Sequence, residues 1–295
     1  MSKMTVSAQV GPLPATAYTS FEEFMANRHP LNRLIADRRK REKAVAVFDR
    51  KIAYDGHCGI CDRDVTYSCD WKMHRTLPDG RIEPIWRERL LCPCGLANRL
   101  RASFQFMLGD CGLAPDDPVY LTEQLTPFYA MARTHCRNLT GSEYLRDGTA
   151  PGRVNAAGVR MEDITALSFA DDSFRMVGSF EVLEHVPDYK AGLREMCRVL
   201  QPGGHLVASF PFRQDLAETV VRARLTETGE IEHLTTPEYH GDPLSTEGVL
   251  CFYHFGWDIL QAMKDAGFSD ATCHFYWDYD SGYLGGALPI FHAVK

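Results

Sequence analysis

Two groups of residues in this 295-residue chain have the types and spacing for chemistry. The first is sulfur. Cys58-Gly59-Ile60-Cys61 is a knuckle whose two-residue spacer lets both thiolates reach one tetrahedral ion. Cys92-Pro93-Cys94-Gly95 offers a second pair, one residue shorter, with a Gly that favours a tight turn. His57 and Cys69 stand by as reserve ligands. Four thiolates around Zn2+ make a closed, structural site, which can hold together a small domain that lacks a core of its own. The second group is acidic. Glu143, in Thr140-Gly141-Ser142-Glu143, lies 20 residues beyond Glu123, the interval expected between the end of a first strand and a carboxylate that accepts from ribose hydroxyls.

The elements that must position these groups follow from the apolar rhythm. Residues 1–18 carry Gly, Pro, Ser and Thr without periodicity and read as a flexible arm. Phe21, Phe24 and Met25, then Leu31, Leu34 and Ile35, recur at helical spacing, with a break predicted at His29-Pro30. Short strands and knuckles are expected over 52–95 and a helix over Leu96–Leu108. From Pro118 the text alternates short apolar strands with helices, the rhythm of a parallel sheet. The strands are Val119–Leu121, Asn138–Gly141, Val159–Met161, Phe174–Phe180 and Leu206–Phe210. A helix over Tyr189–Leu200 stops at Pro202-Gly203-Gly204, and another runs from Phe255 to Ala266. Ala271–Tyr276 and Leu288–Val294 can pair as a terminal hairpin. The expected architecture is α/β: a Rossmann-like, seven-stranded, mostly parallel sheet with helices on both faces over residues 115–295. A small helical and zinc-knuckle subdomain is expected over 19–114.

Composition bounds the class of protein. Hydrophobic residues make up 45% and charged residues 24%, which is ordinary for a globular chain and excludes disorder as the general state. No apolar run approaches the roughly 20 residues needed to span a bilayer, and the start does not read as a signal peptide. The expectation is a cytoplasmic protein with reduced thiols and no membrane partner, which favours metal over disulfides for the clustered cysteines. The net charge of -7 is uneven: residues 1–105 carry 18 Lys and Arg against 12 Asp and Glu, and the remainder 14 against 27. A basic front on an acidic body can bind an acidic partner or dock on its own chain. The acidic body argues against a nucleic-acid partner; a homodimer remains open.

Over residues 159–212 the sequence resembles the class I S-adenosylmethionine-dependent methyltransferases of the type 11 group. The strings are Met161-Glu162-Asp163-Ile164, Phe180-Glu181-Val182-Leu183-Glu184-His185-Val186 and Arg198-Val199-Leu200-Gln201-Pro202-Gly203-Gly204. The resemblance implies that Asp163 accepts the adenine amino group with Ile164 against the ring. It implies that Glu143, with Tyr144 beside it, binds the ribose diol. Phe180, Glu181 and His185 would border the methionine end of the cofactor. The family's Gly-rich first loop is replaced here by Leu121-Thr122-Glu123-Gln124-Leu125-Thr126, so Thr122, Glu123 and Gln124 are the expected contacts to the methionine amino and carboxylate groups. After the fifth strand, where such folds build an acceptor pocket, His233, His240 and His254 are candidate bases. Arg213, Arg222, Tyr239 and Tyr253 are candidate acceptor contacts. The implied function is methyl transfer from S-adenosylmethionine to a small-molecule acceptor. The alternatives are an RNA base methyltransferase, or a catalytically inactive zinc-dependent binding protein on the same fold.

Overall fold

A computed structural model describes residues 10–295 except 49, 78, 79, 243 and 244. The apolar runs form a seven-stranded sheet. Its strands are β1 (Ala15–Tyr18), β2 (Pro118–Leu121), β3 (Asn138–Gly141), β4 (Phe174–Phe180), β5 (Leu200–Ser209), β6 (Asp270–Asp278) and β7 (Tyr283–Val294), side by side in the order β1-β6-β7-β5-β4-β2-β3. Pairing is parallel from β3 through β2 and β4 to β5, and antiparallel between β5 and β7. This is a Rossmann-like sheet. In β4 every residue from Met176 to Phe180 is buried, which is why it reads as an unbroken apolar run rather than an alternating one.

Helix boundaries follow local chemistry. Helices α1 (Phe21–Ala26) and α2 (Arg28–Val45) are separated at Asn27, so Pro30 falls in the first turn of α2, where no intrahelical N–H is required of it. A helix over Asn98–Gln105 (α3) runs into a π-turn at Phe106–Asp110. Helix α4 (Pro127–His135) is capped by Thr126, whose hydroxyl accepts from Tyr129 N at 3.2 Å. Helix α5 (Tyr189–Val199) is capped by Asp188, which accepts from Ala191 N at 2.9 Å, and buries Leu193, Met196 and Cys197. The chain passes directly from α5 into β5. The Pro202-Gly203-Gly204 segment is a bulge within that strand: the register against β4 jumps from Phe174↔Leu200 to Met176↔His205. Gly203, at φ 72°, supplies the left-handed residue the bulge needs.

Two elements differ from expectation. Ala15–Tyr18, read as part of the arm, forms edge strand β1; residues 1–9 of that arm lie outside the described residues. Val159–Met161, expected as a full strand, is reduced to one parallel bridge, Glu143↔Met161. Its backbone is committed to a local loop instead: Asn155 N donates to Val159 O at 2.9 Å, and Met161 N to Arg153 O at 2.8 Å.

The chain divides into two compact units. One comprises Met1–Ala17, Glu22–Ala114 and His274–Ile290; the other comprises Tyr18–Phe21, Pro115–Cys273 and Phe291–Lys295. The sequence boundary at 114 leaves out the return segment of the first unit. That segment is held by long-range polar contacts: His57 N donates to Asp280 O at 2.8 Å, and Tyr67 Oη to Ser281 O at 2.9 Å. Glu42 Oε1 accepts from Trp277 Nε1 at 2.7 Å and from Gly285 and Gly286 N at 2.7 and 2.9 Å.

Gly141 ends β3 where the chain is most crowded. A Cβ there would meet the Tyr129 ring at 2.4 Å and the Glu123 carbonyl oxygen at 2.7 Å. Gly141→Ala is expected to cost about 1–3 kcal/mol by overpacking, read as a lower denaturant midpoint at unchanged m-value. An unchanged midpoint would show that this corner yields.

Candidate active site and cysteine cluster

In the first unit the four clustered cysteines meet. Cys58 ends one arm of the hairpin Ile52–Cys58/Arg63–Cys69, and Cys61 lies in its turn. Cys92 and Cys94 lie in a tight turn closed by Gly95 N donating to Cys92 O at 2.9 Å, with Gly95 at φ 91°. All four Sγ atoms lie within 4.8 Å of one another, and Cys61 and Cys92 are 3.8 Å apart. Two sulfurs each about 2.3 Å from a tetrahedral ion are separated by about 3.8 Å, so the one-residue spacer of Cys92-Pro93-Cys94 is no obstacle. The neighbouring thiols Cys61, Cys92 and Cys94 push the Cys58 thiol far below its ordinary range.

Arg101, fully buried in the same unit, forms no ion pair among the described residues. Its guanidinium donates to Ser281 O at 2.8 Å, Gly282 O at 2.6 Å and Tyr67 Oη at 3.2 Å, and lies 4.4 and 4.9 Å from the centres of the Tyr67 and Tyr283 rings. Burial opposes its charge; Tyr283, Tyr67, Cys58 and Cys92 outweigh that and hold its proton more firmly than usual.

In the second unit the carboxyl ends of β2, β3 and β4 converge, as the parallel pairing requires. Glu143 Oε1 accepts from Gln124 N at 2.7 Å and Leu125 N at 2.8 Å, so it stitches the Gly-free first loop in place. The Glu143↔Met161 bridge brings this acid beside the segment that carries Asp163 two residues later. Asp163 Oδ1 accepts from Thr165 N at 2.9 Å and Thr165 Oγ1 at 2.7 Å, while buried Ile164 packs over Gly192 of α5. Each acid therefore uses one oxygen to shape its own loop. The second oxygen of each takes no hydrogen bond among the described residues.

The loop side chains are occupied differently. Thr122 is buried with its hydroxyl on Ser179 Oγ at 3.2 Å, and buried Glu123 accepts from the Thr126 hydroxyl. The Gln124 side chain donates to Gly158 O at 2.9 Å and accepts from Arg160 N at 2.9 Å. Phe180 packs edge-on to Phe128, with ring centres 4.9 Å apart. Glu181 sits at φ 58°; its N–H donates to Ser209 O at 2.8 Å and its Oε1 accepts from Ser209 Oγ at 2.9 Å. Tyr144 is exposed.

Just past β4 lies a histidine–carboxylate cluster. Glu184 is fully buried, and the nearest groups to its Oε1 are His185 Nε2 and His240 Nδ1, both at 3.6 Å. Glu238 links His240 and His254: it meets His240 Nε2 at 3.0 Å, His254 Nε2 at 3.1 Å and Arg222 Nη2 at 3.1 Å. The backbone fixes this arrangement, since Phe252 N donates to Glu184 O at 2.7 Å and His185 Nδ1 meets Leu250 O at 2.8 Å. Burial pushes the Glu184 carboxyl up. Contacts with Cys251, Glu184 and Glu238 push His240 up to about 11. Both directions describe a pocket that favours an added positive charge.

With the geometry in view, the comparisons are specific about the central segment. Residues 126–208 match the family model described as a methyltransferase domain. That match makes the central segment similar to a methyltransferase domain. The methyltransferase GfsG of Streptomyces halstedii is 38% identical over 80 residues, which is 25% of this chain and 29% of that protein. The chain thus spans under a third of that relative's length. The demethylmenaquinone methyltransferase of Shouchella clausii is 27% identical over 172 residues, covering 54% of this chain and 68% of that protein. Among solved structures, the Burkholderia thailandensis 1,6-didemethyltoxoflavin-N1-methyltransferase with bound 1,6-didemethyltoxoflavin and S-adenosylhomocysteine is 15% identical. The likeness covers 66% of this chain and 77% of that one, at a TM-score of 0.38.

Within the second unit the structure sorts the remaining candidates. His240 and His254 come together through Glu238, and Arg222 joins them. His233 does not: it is exposed on the small hairpin Ala223–Leu225/Ile231–His233. Arg213 is paired with Asp215 at 2.8 Å, Tyr239 is exposed, and Tyr253 is buried against Tyr189 and Phe255. Sequence reading gave neither Glu184 nor Glu238 a place in the site. Their one signal was the pairing of each acid with a histidine one or two residues on.

Proposed function

We propose that the chain is an S-adenosylmethionine-dependent methyltransferase acting on a small-molecule acceptor, with a structural Zn2+ held by Cys58, Cys61, Cys92 and Cys94. The observation that carries the activity is that Glu143 and Asp163, both within the matched segment, lie on segments joined by the Glu143↔Met161 bridge with one open carboxylate oxygen each. Neutral hydroxyls and an aromatic amine need such acceptors, and Ile164 offers the apolar wall that a purine needs. Glu143 accepts from the ribose hydroxyls, Asp163 from the adenine amino group, and Phe180 and Glu181 border the methionine end. When bound, S-adenosylmethionine supplies a methyl group on a sulfonium sulfur, open to in-line displacement. Thr122 and Glu123 shape the loop through Ser179 and Thr126.

The acceptor side is built from the Glu238-linked histidines. Glu238 orients His240 and His254, and His254 is the base best placed to take a proton from an acceptor outside the buried cluster. The Shouchella clausii relative is a demethylmenaquinone methyltransferase, so quinols, with simple phenols as their analogues, are the first acceptors to try. Nothing beyond the basic front favours RNA. Among the described residues no helix is long and apolar enough to cross a membrane, and a cytoplasmic setting suits a four-thiolate zinc.

One observation favours the binding-only reading: the Gln124 side chain is clasped between Gly158 and Arg160 beside the proposed ribose site. Incubation with methyl-labelled S-adenosylmethionine and a panel of quinols and phenols separates the two. The enzyme reading expects labelled product together with S-adenosylhomocysteine. Binding of cofactor without turnover on any member of a broad panel favours the other.

A further inference from the structure

We propose that Glu184, His185 and His240 form a second metal site, for a divalent first-row transition ion, separate from the cysteine cluster and open to an oxygen ligand. The first observation is the hydrogen-bond logic. His185 Nδ1 faces a carbonyl oxygen, Leu250 O at 2.8 Å, and must donate to it. His240 Nε2 faces the Glu238 carboxylate at 3.0 Å and must donate likewise. When both imidazoles are neutral these two protons leave His185 Nε2 and His240 Nδ1 as lone pairs, so an ion bound there takes the place of the proton that His240 otherwise shares with Glu184. Both nitrogens lie 3.6 Å from Glu184 Oε1, so three potential ligand atoms gather at one point.

The second observation is Glu184 itself. Its side chain is fully buried, and neither carboxylate oxygen has a hydrogen-bond partner. A buried carboxylate left without donors is costly, and a cation is the usual remedy. The spacing suits one. Two N or O ligands each about 2.1 Å from an ion at a tetrahedral angle lie about 3.4 Å apart, close to the 3.6 Å found.

Ligand type narrows the ion. Two imidazoles and one carboxylate, without thiolate, suit Mn2+, Fe2+, Co2+ or Zn2+ and leave coordination positions unfilled. The outer residues fit as well: Glu238 behind His240 and the Leu250 carbonyl behind His185 are the second partners that ligating histidines usually have. The neighbouring trio Glu238, Cys251 and His254 is a poorer host. Glu238 already accepts from His240, His254 and Arg222, and the Cys251 thiol donates to Tyr253 O at 3.2 Å. The metal site stands on these side chains alone. Its use, to hold and acidify an acceptor hydroxyl, rests on the methyltransferase reading.

Mn2+ tests the site because it avoids thiolates and so ignores the cysteine cluster. Purified protein, without S-adenosylmethionine or acceptor, is titrated with Mn2+ and the free ion is followed by electron paramagnetic resonance. One Mn2+ per chain, displaced by Zn2+ or Co2+, is expected. His185→Ala and His240→Ala should each weaken binding at least tenfold, and Glu238→Gln by about 10–100-fold as an outer-shell change. His233→Ala should bind as the parent does. No uptake of Mn2+, Co2+ or Zn2+ beyond the cysteine site overturns the proposal. So does unchanged affinity in both histidine variants, or loss in Cys251→Ser with none in His185→Ala. Should the variants not fold, the wild-type protein with labelled histidine decides: two of the 11 histidine rings should broaden first with substoichiometric Mn2+, and uniform or absent broadening refutes the site. Because cofactor is left out, a failure here is separate from a failure of methyl transfer.

Discussion

Replacing Cys58 by serine, or stripping metal with a strong chelator, should unfold the first unit while the second unit keeps its secondary structure. Structural zinc in small cysteine sites contributes roughly 10–16 kcal/mol of apparent binding energy, which exceeds the whole stability of a typical domain. On the zinc proposal the unit would need the ion for a second reason. Arg101 is buried without a carboxylate, and the charge nearest to hand is that of the cysteine cluster, net negative when four thiolates bind one Zn2+. Loss of the ion removes both a cross-link and a counter-charge. Three of the four tryptophans, Trp71, Trp86 and Trp277, lie in this unit, so fluorescence reports its state with little contribution from the other. A red shift on chelation, reversed by Zn2+, is expected. Metal-free protein that is freshly purified, fully folded and has four freely titrating thiols would contradict the zinc assignment.

The second large effect is expected at the strand ends. Glu143→Ala should weaken S-adenosylhomocysteine binding by roughly 10–100-fold, the size of a lost hydrogen bond to a charged group. Part of that loss is positional, since Glu143 also holds the N–H groups of Gln124 and Leu125. Asp163→Ala supplies the comparison, because Asp163 serves only its own turn with Thr165. A roughly tenfold loss there, with an unchanged unfolding midpoint, is the expected result. Equal binding by both variants and the parent would remove these acids from the cofactor site.

How much of this was legible in the sequence depended on whether a segment's partners were local. Asn138–Gly141 and Phe174–Phe180 were read to the residue, and the second is the unbroken apolar run that marks a buried parallel strand. Ala15–Tyr18 was not read as a strand, because nothing in its composition favours one and its hydrogen bonds come from a segment more than 250 residues away. Val159–Met161 failed for the opposite reason: its own preceding loop captured the backbone groups that a strand would have used.

The candidate site shows the same division. The four cysteines were found by spacing, and the pairing of Cys58–Cys61 with Cys92–Cys94 followed from chemistry alone. The histidines could not be ranked. His233 and His240 stand in similar polar, aromatic text, yet one faces solvent and the other faces buried Glu184. Only the long return that places Leu250 and Phe252 against Glu184-His185 separates them.

Isothermal calorimetry of the zinc-loaded chain with S-adenosylmethionine and with S-adenosylhomocysteine tests the central claim most directly. One site per chain for each ligand is predicted, weakened in Asp163→Ala. The absence of binding heat with either ligand at more than one temperature, from protein that is folded and metal-loaded, would contradict it.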